Sequence, residues 1–153
     1  MAPLFIEDLD AASHAEVRDL VLAGLAEHWG PVDASLNPDL DDMLASYRHG
    51  RTIVARTAER ALVGTGTVVP RGDNVAEILR MSVHARARRT GVGRQILDEL
   101  VVTAKRWGCT EVVLETSTAW TEVIDFYTRC GFTITHVTEG DFGSDTWFSL
   151  QLD

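Results

Sequence analysis

Cysteine is scarce in this chain of 153 residues, which contains only Cys109 and Cys130. Their spacing suits neither a zinc ribbon nor a redox pair of the C-x-x-C kind, and we expect no metal site. We expect both residues to be free thiols buried in the core, where unpaired cysteine is usually found. Free thiols persist in a reducing compartment, so the expected location is the cytoplasm.

The sequence also lacks a long apolar run. No segment is long enough to span a bilayer, so no membrane partner is expected. The N-terminal residues have neither the basic start nor the apolar centre of a signal peptide. With 45% hydrophobic and 24% charged residues, and without repeats, the composition is that of a soluble globular protein. We expect a single domain over residues 1–153.

Basic residues are outnumbered overall, and the net charge is −9. From Met1 to Asp42 ten acids accompany one base, Arg18, whereas from Tyr47 to Arg106 twelve bases stand against five acids. An overall excess of acid argues against general affinity for nucleic acid, because no uncompensated basic surface would release counterions from the phosphates. The local excess of arginine therefore indicates a smaller anionic partner.

Hydrophobic periodicity predicts a mixed α/β fold. The first predicted helix covers residues 13–30, with Ser13 and Glu16 as a capping box, and a short second helix covers residues 37–50. Three antiparallel strands follow, and then a strand-helix alternation. One parallel crossover is thus predicted inside a mostly antiparallel sheet. The later predicted segments are strands 51–57, 61–69, 75–83, 110–117, 132–138 and 145–152 and helices 90–108 and 119–131.

The segment "RRTGVG", residues 88–93, lies where a predicted strand is followed by a helix. The first amides of a helix have no intrahelical acceptor and attract anions. Glycine lets a phosphate approach the backbone, and arginine adds charge-assisted hydrogen bonds. The spacing fits neither a P-loop nor a dinucleotide fingerprint. A site for phosphates is one interpretation, and a turn shaped by glycine beside solvated arginines is the other.

Two segments resemble the signatures of the GNAT superfamily of N-acetyltransferases. The first, "LRMSVHARARRTGVGRQILDEL", is similar to the acetyl-CoA signature [Q/R]-x-x-G-x-[G/A], with Arg88, Gly91 and Gly93 in its fixed positions. The second, "VIDFYTRCGFTI", is similar to the run (A/V)-I-x-(F/L)-Y-x-x-x-G-F. The resemblance is most specific over residues 76–134. It implies the acyl-CoA N-acyltransferase fold and an acetyl-CoA-dependent enzyme.

The resemblance also implies where acetyl-CoA binds. In this superfamily the cofactor enters a V-shaped opening, here between residues 78–83 and 112–116, and its pantetheine arm pairs with strand backbone. Trp120 stands where many members have an asparagine that contacts the pantetheine, and Thr118 or Thr121 could replace that contact. The implied cofactor-binding residues are Met81, Val83, Arg88, Arg89, Gly91, Val92, Gly93, Arg94 and Trp120.

Two residues are candidates for proton transfer. The match places Tyr127 where a phenol can protonate the departing thiolate; the alternative is a core tyrosine. Strand alternation puts Glu77 on one face with Leu79, Met81 and Val83. There it could act as a base for the amine, directly or through water. The alternative is an ion pair between Glu77 and an arginine of its own or a neighbouring strand.

The acceptor is expected to be a small cationic amine that attacks directly in a ternary complex. The region expected to line its site is acidic and aromatic, which suits a cation. Acids that cap the second helix are the alternative interpretation. A CoA-binding sensor without turnover, and a protein lysine or N-terminal acetyltransferase, are further hypotheses. An exposed sheet edge also favours a homodimer. The acceptor-site candidates are His28, Trp29, Asp33, Asn37 and Asp39.

Overall fold

A computed structural model describes residues 3–153, which form one sheet of seven strands in the spatial order β1-β2-β3-β4-β5-β7-β6. Met1 and Ala2, part of the predicted domain, lie outside the described residues. The strands are β1 (Phe5–Asp8), β2 (Arg51–Arg56), β3 (Leu62–Gly72), β4 (Val75–Val83), β5 (Glu111–Ser117), β6 (Thr133–Gly140) and β7 (Gly143–Gln151). The helices are α1 (His14–Trp29), α2 (Met43–Ser46), α3 (Val92–Arg106) and α4 (Thr121–Arg129), with 3₁₀ turns at Ala34–Leu36, Pro38–Leu40 and Ala85–Ala87.

The described strand pairs are antiparallel except for β4 and β5, which run parallel and are connected through α3. The predicted mixed sheet with one parallel crossover is therefore confirmed. Helix α3 packs on one face of the sheet and α1 on the other. None of the helices in residues 3–153 is both long and apolar enough to cross a membrane.

The sequence pattern did not predict β1. This edge strand has only four residues and an irregular burial pattern, so it carries little alternation of its own. Its position is set by antiparallel pairing with β2, from Phe5 opposite Arg56 to Asp8 opposite Ile53.

The predicted capping box at the start of α1 is wrong. Ser13 occupies the N-cap position, but its side chain makes no capping hydrogen bond. Its Oγ instead accepts a hydrogen bond of 3.0 Å from Nη2 of Arg56, which also pairs with Glu16. The amide of Ser13 donates to Asp10 Oδ1 at 2.9 Å. A buried arginine of β2 has thus recruited both residues of the predicted box.

The predicted second helix is broken into two short pieces. A 3₁₀ turn covers Pro38–Leu40, and α2 has only four residues. Asp42 separates them because its extended backbone interrupts the helix while its carboxylate accepts from the amide of Ala45 at 3.2 Å. The acid therefore caps α2, as the capping interpretation of this acidic segment expects.

Candidate active site

Strands β4 and β5 lie side by side only near their beginnings. Their pairing ends at Glu77 opposite Val113, although β4 continues to Val83 and β5 to Ser117. Each remains paired on its outer side, β4 with β3 and β5 with β7. The inner edges therefore separate, and the V-shaped opening implied by the resemblance is present between them.

The opening leads into a cleft of about 2000 Å³. The parted strands form its centre, with residues 78–83 of β4 on one side and residues 114–117 of β5 on the other. The start of α3 and the inner face of α4 border it from one side of the sheet. The end of α1 and the chain from residue 31 to residue 39 border it from the other.

The first turn of α3 presents free amides at one end of this cleft. The first helical hydrogen bond runs from Gln95 N to Gly91 O at 3.1 Å, and the amides of Val92, Gly93 and Arg94 have no acceptor within residues 3–153. Gly91 adopts a φ of 91°, a conformation that glycine takes without strain. Such a helix start is suited to binding phosphate.

Gly93 brings this turn close to its neighbours. A Cβ on Gly93 would lie 3.4 Å from Phe126 Cζ of α4 and 3.5 Å from Val83 Cγ2 of β4. A methyl group here would make ordinary van der Waals contact with both neighbours, whereas a larger side chain would have to displace one of them.

The arginines near this turn differ in their partners. Arg88 makes a double hydrogen bond to Glu27 of α1, at 2.5 and 2.9 Å, and its Nε donates to Val83 O at 3.2 Å. Arg94 donates to Asp98 at 3.0 Å. Arg89 makes no side-chain ion pair or hydrogen bond to residues 3–153. Arg88 and Arg94, two of the three arginines predicted to bind the cofactor, are thus paired with carboxylates. Arg88 also occupies the backbone carbonyl of Val83, another residue predicted to bind the cofactor.

Strand β4 contains a bulge at Arg80, whose φ is 55°. The β3–β4 register shifts there, since Thr67 lies opposite Leu79 but Thr65 lies opposite Ser82. Beyond the bulge, Val83 contacts α3, whereas Leu79 is on the α1 face with Glu77.

The single face predicted for residues 77, 79, 81 and 83 is therefore wrong. The extra residue turns Met81 and Val83 to the α3 face, where the Met81 sulfur would lie 3.1 Å from a Cβ on Gly66.

A half-buried network of hydrogen bonds holds the bulge. Arg80 donates from Nε and Nη2 to the two carboxylate oxygens of Asp39, at 2.9 and 2.8 Å, and from Nη2 to Asn37 Oδ1 at 3.1 Å. The Tyr47 hydroxyl donates to Asp39 Oδ2 at 2.5 Å. Burial alone would raise the pKa of Asp39, but the hydrogen bonds from Arg80 and Tyr47 outweigh it and lower that pKa. Burial, and then Asp39, raise the pKa of Tyr47 to about 12.

Asp39→Asn is expected to lower the free energy of unfolding by about 2 kcal/mol at neutral pH. The change leaves the Arg80 guanidinium without its counter-charge, and the partial exposure of the pair keeps the cost below that of a fully buried pair. Because folding lowers the pKa of Asp39 from 3.8, its contribution is present above that value and is lost as the pH falls through the lower, folded pKa.

Urea unfolding at pH 7 and pH 3 measures this difference. Asp41→Asn is the control, since Asp41 makes only a solvent-exposed ion pair with Arg18 at 3.8 Å. Equal stability of Asp39→Asn and wild type at pH 7, or a difference that does not narrow in acid, contradicts the prediction.

The acceptor-site candidates all line the cleft, but several are engaged within the chain. Asp39 and Asn37 bind Arg80, and Asp33 accepts from the amide and hydroxyl of Ser35 at 2.9 and 2.6 Å. Among the residues that the structure describes, no three His, Cys, Asp or Glu side chains form a candidate metal site.

Trp120 joins the two sides of the cleft mouth. Its ring stacks on His28 of α1 with the centroids 4.2 Å apart, and it lies 5.6 Å from the ring of Trp29. Trp120 is also the N-cap residue of α4. The position thus forms an aromatic contact between α1 and α4.

Tyr127 projects from α4 into the apolar wall of the cleft. Its ring packs against Phe126, Phe132 and Phe148 with centroid distances of 5.2, 5.8 and 5.8 Å. The hydroxyl makes no hydrogen bond to residues 3–153. Burial, and then the nearby Cys130, raise the pKa of Tyr127 above its usual 10.0, so the phenol keeps its proton at neutral pH.

Glu77 and Glu115 lie on the two central strands and differ in their partners, and Glu77 does not line the cleft. Glu77 is buried, and its Oε1 accepts from Nε of Arg71 on β3 at 2.7 Å, which is the neighbouring-strand ion pair considered above. The sequence analysis did not identify Glu115 of β5 as a candidate. The signal was its position two residues after Val113, which puts both side chains on the same face of the predicted strand. The exposed side chain of Glu115 lines the cleft, and partial desolvation, followed by Asp145 and Glu77, raises its pKa.

These features define a class of protein: an α/β protein with a cleft for an extended ligand that carries phosphate at one end. The sequence model of the Acetyltransferase (GNAT) family matches residues 15–132. The chain belongs to this family.

Cys109 and Cys130 are free thiols, as expected, but half-buried at the edge of the core.

Solved structures share the whole fold. A GNAT-family acetyltransferase from Staphylococcus aureus Mu50 is 18% identical, with a TM-score of 0.88 over 99% of this chain and 100% of its own. An acetyltransferase from Salmonella typhimurium solved with its cofactor acetyl-CoA is 22% identical, with a TM-score of 0.80 over 99% and 95%. A GNAT-family acetyltransferase from Elizabethkingia anophelis with acetyl-CoA bound is 18% identical, with a TM-score of 0.77 over 97% and 98%. No curated protein matches the sequence.

Proposed function

We propose that this protein transfers the acetyl group of acetyl-CoA to the nitrogen of a small cationic amine. The observation that carries the proposal is the parting of β4 from β5, with free helix amides at one end and Tyr127 on the wall. The acetyl-CoA found in the Salmonella and Elizabethkingia structures supports the same ligand here.

The described residues fit this ligand. The amides of Val92, Gly93 and Arg94 are free donors for a diphosphate, and Gly93 packs close to Val83 of β4. The inner edge of β4 near Met81 and Val83 is unpaired along the cleft, so an extended pantetheine arm can hydrogen-bond to it as an added strand does. Arg88 then has to release the Val83 carbonyl for pairing at that residue.

Direct attack by the amine is the proposed mechanism. A carboxylate at the cleft takes the proton of the amine as its nitrogen bonds to the acetyl carbon, and the Tyr127 hydroxyl gives its proton to the sulfur as the carbon–sulfur bond breaks. The sequence pattern assigns the base to Glu77. The ion pair with Arg71 keeps that carboxylate partnered, which weakens this assignment.

A cationic acceptor is favoured by the charge and the rings around the cleft. Glu115 and Asp145 bring negative charge to it, and Trp29, Trp120 and Phe142 bring aromatic faces. Carboxylates and ring faces both stabilise a bound ammonium group.

We also propose a cytoplasmic location and a homodimer. The free thiols support a cytoplasmic location. Strand β6, an exposed edge with Ile134 and Val137 about half exposed, supports a homodimer.

Acetyl-CoA at a hundred times its dissociation constant is expected to raise the free energy of unfolding by about 2.7 kcal/mol. For a domain of this size that corresponds to roughly 5–11 °C in melting temperature. Thermal unfolding with acetyl-CoA, and with acetyl phosphate as a control that lacks the nucleotide and the pantetheine, measures it. No stabilisation by acetyl-CoA contradicts cofactor binding.

Thiol release across a panel of amines then tests transfer. Release of CoA with a small cationic amine supports the proposed activity. Stabilisation by acetyl-CoA without release of thiol for any amine or lysine peptide indicates a CoA-binding sensor instead. Release only with peptides indicates a protein acetyltransferase.

A further inference from the structure

Glu115 stands on the acceptor side of the parted strands. It lies two residues beyond Val113, the last residue of β5 paired with β4. Its neighbours Val112 and Leu114 are buried in the core beneath α3, so Val113 and Glu115 point to the opposite face. Helix α1 and residues 31–39, which border the acceptor side of the cleft, lie on that same face.

Glu115 has no positive partner. Within residues 3–153 it makes neither an ion pair nor a hydrogen bond, whereas the carboxylate of Glu77 is held by Arg71. The charged groups that face Glu115 are Asp145 on β7 and Glu77 on β4, with Arg71 on β3 engaged by Glu77. The side chain of Glu115 is solvent-exposed in the open cleft, where a substrate can reach it. Partial desolvation there and these two acids raise the pKa of Glu115, which makes its carboxylate a better proton acceptor.

The proton donor and this carboxylate lie on opposite sides of the gap between β4 and β5. Tyr127 belongs to the core cluster of the α3 face, and Glu115 belongs to the α1 face. Acetyl transfer needs this separation, because the amine loses a proton on one side of the carbonyl carbon while the sulfur gains one on the other. Asp39 also lies on the acceptor side, but both of its carboxylate oxygens accept hydrogen bonds from Arg80 at the β4 bulge. Asp39 is therefore not available as the base.

We propose that Glu115 is the general base of the reaction, a role that rests on the proposed function. As the neutral amine attacks, the carbon–nitrogen bond forms, the carbon–sulfur bond breaks, and the amine proton moves to Glu115 directly or through one water. The sulfur takes the proton of Tyr127. Solvent then removes the proton from Glu115 and returns one to Tyr127.

The test compares Glu115→Gln, Glu77→Gln and the control Glu111→Gln. Glu111 shares the strand and the face of Glu115 but lies outside the cleft, and glutamine can still accept the 2.6 Å hydrogen bond from Ser149. For each protein kcat and kcat/KM are measured from pH 5 to pH 9 with two amines of different ammonium pKa. A limb that moves with the amine belongs to the substrate, and a limb that stays belongs to the enzyme.

The expected result is an acidic limb in the wild type that stays fixed between amines and lies above pH 4.5, the usual pKa of glutamate. Along this limb kcat rises with pH because the base acts only when it is deprotonated. Glu115→Gln lowers kcat about 100-fold and removes this limb, whereas Glu111→Gln retains both. Unchanged stabilisation by acetyl-CoA shows that each variant is folded and binds the donor.

Three results overturn the role of Glu115. One is loss of the limb in Glu77→Gln with its retention in Glu115→Gln, which assigns the base to Glu77. Another is a raised KM for the amine with kcat unchanged, which makes Glu115 a binding group for the ammonium. The third is a wild type that binds acetyl-CoA but transfers to no amine, in which case the proposed function fails as well.

Discussion

Tyr127→Phe is expected to lower kcat by about 10²- to 10⁴-fold, the usual contribution of a positioned general acid. A thiolate with an ordinary thiol pKa near 8.5 leaves faster when a proton reaches it as the carbon–sulfur bond breaks. Burial keeps the Tyr127 phenol protonated, and its hydroxyl is not consumed by any described partner.

The variant separates catalysis from packing. Phenylalanine keeps the ring contacts with Phe126, Phe132 and Phe148, and the hydroxyl that is lost had no hydrogen bond to another described residue. The free energy of unfolding and the dissociation constant of acetyl-CoA are therefore expected to change little. Single-turnover kinetics measure the chemical step, so that slow product release does not hide the loss.

Near-normal single-turnover rates in Tyr127→Phe would remove the residue from the acid role and leave it a core tyrosine. A large loss of stability, or weaker binding of acetyl-CoA, would equally show that the hydroxyl serves the fold or the cofactor site.

Gly93→Val is expected to weaken acetyl-CoA binding about 100-fold, which corresponds to about 2.7 kcal/mol. A Cβ at this position already contacts Phe126 and Val83, so the two added methyl groups of valine overlap them. The first turn of α3 must then move away from β4. The amides of Val92 and Arg94 move with it and lose their alignment with the edge of β4.

Isothermal titration with acetyl-CoA measures the effect, and Gly93→Ala gives the graded control. Its single methyl group meets its nearest neighbour at 3.4 Å, so affinity is expected to fall by less than fivefold. Urea unfolding of both variants shows whether the loss reflects the site or the whole fold. Wild-type affinity in a folded Gly93→Val protein would contradict phosphate binding at this helix start.

Local features of the site were predictable from the sequence. Gly91 before α3 and Gly93 in its first turn mark a helix start whose amides are free because of helix geometry alone. Gly30 and Gly131 stand at the ends of α1 and α4. The alternation of apolar residues predicted β2 to β7 and therefore the mixed sheet. These predictions are confirmed because each depends only on residues that are close together in sequence.

The errors have a common physical origin. Ser13 was expected to cap α1 but hydrogen-bonds to Arg56, 43 residues away. The single face expected for residues 77–83 of β4 is broken at Arg80, whose side chain is held by Asp39, 41 residues away. A charge-assisted hydrogen bond to a guanidinium removed from solvent is stronger than a neutral capping bond at an exposed helix end. The distant arginine therefore determines which contact forms. Local pattern contains no information about which distant arginine arrives.

The sequence by itself determined the order of the strands and helices from β2 onward, the free amides at the start of α3 and the position of Tyr127 on α4. Only the tertiary structure decided which carboxylate is available at the cleft. The bulge at Arg80 reverses the faces of β4, Arg71 pairs with Glu77, and the parting of β4 from β5 leaves Glu115 unpartnered. Each of these depends on the register between strands that are distant in sequence, because a shift of one residue exchanges the two faces of a strand.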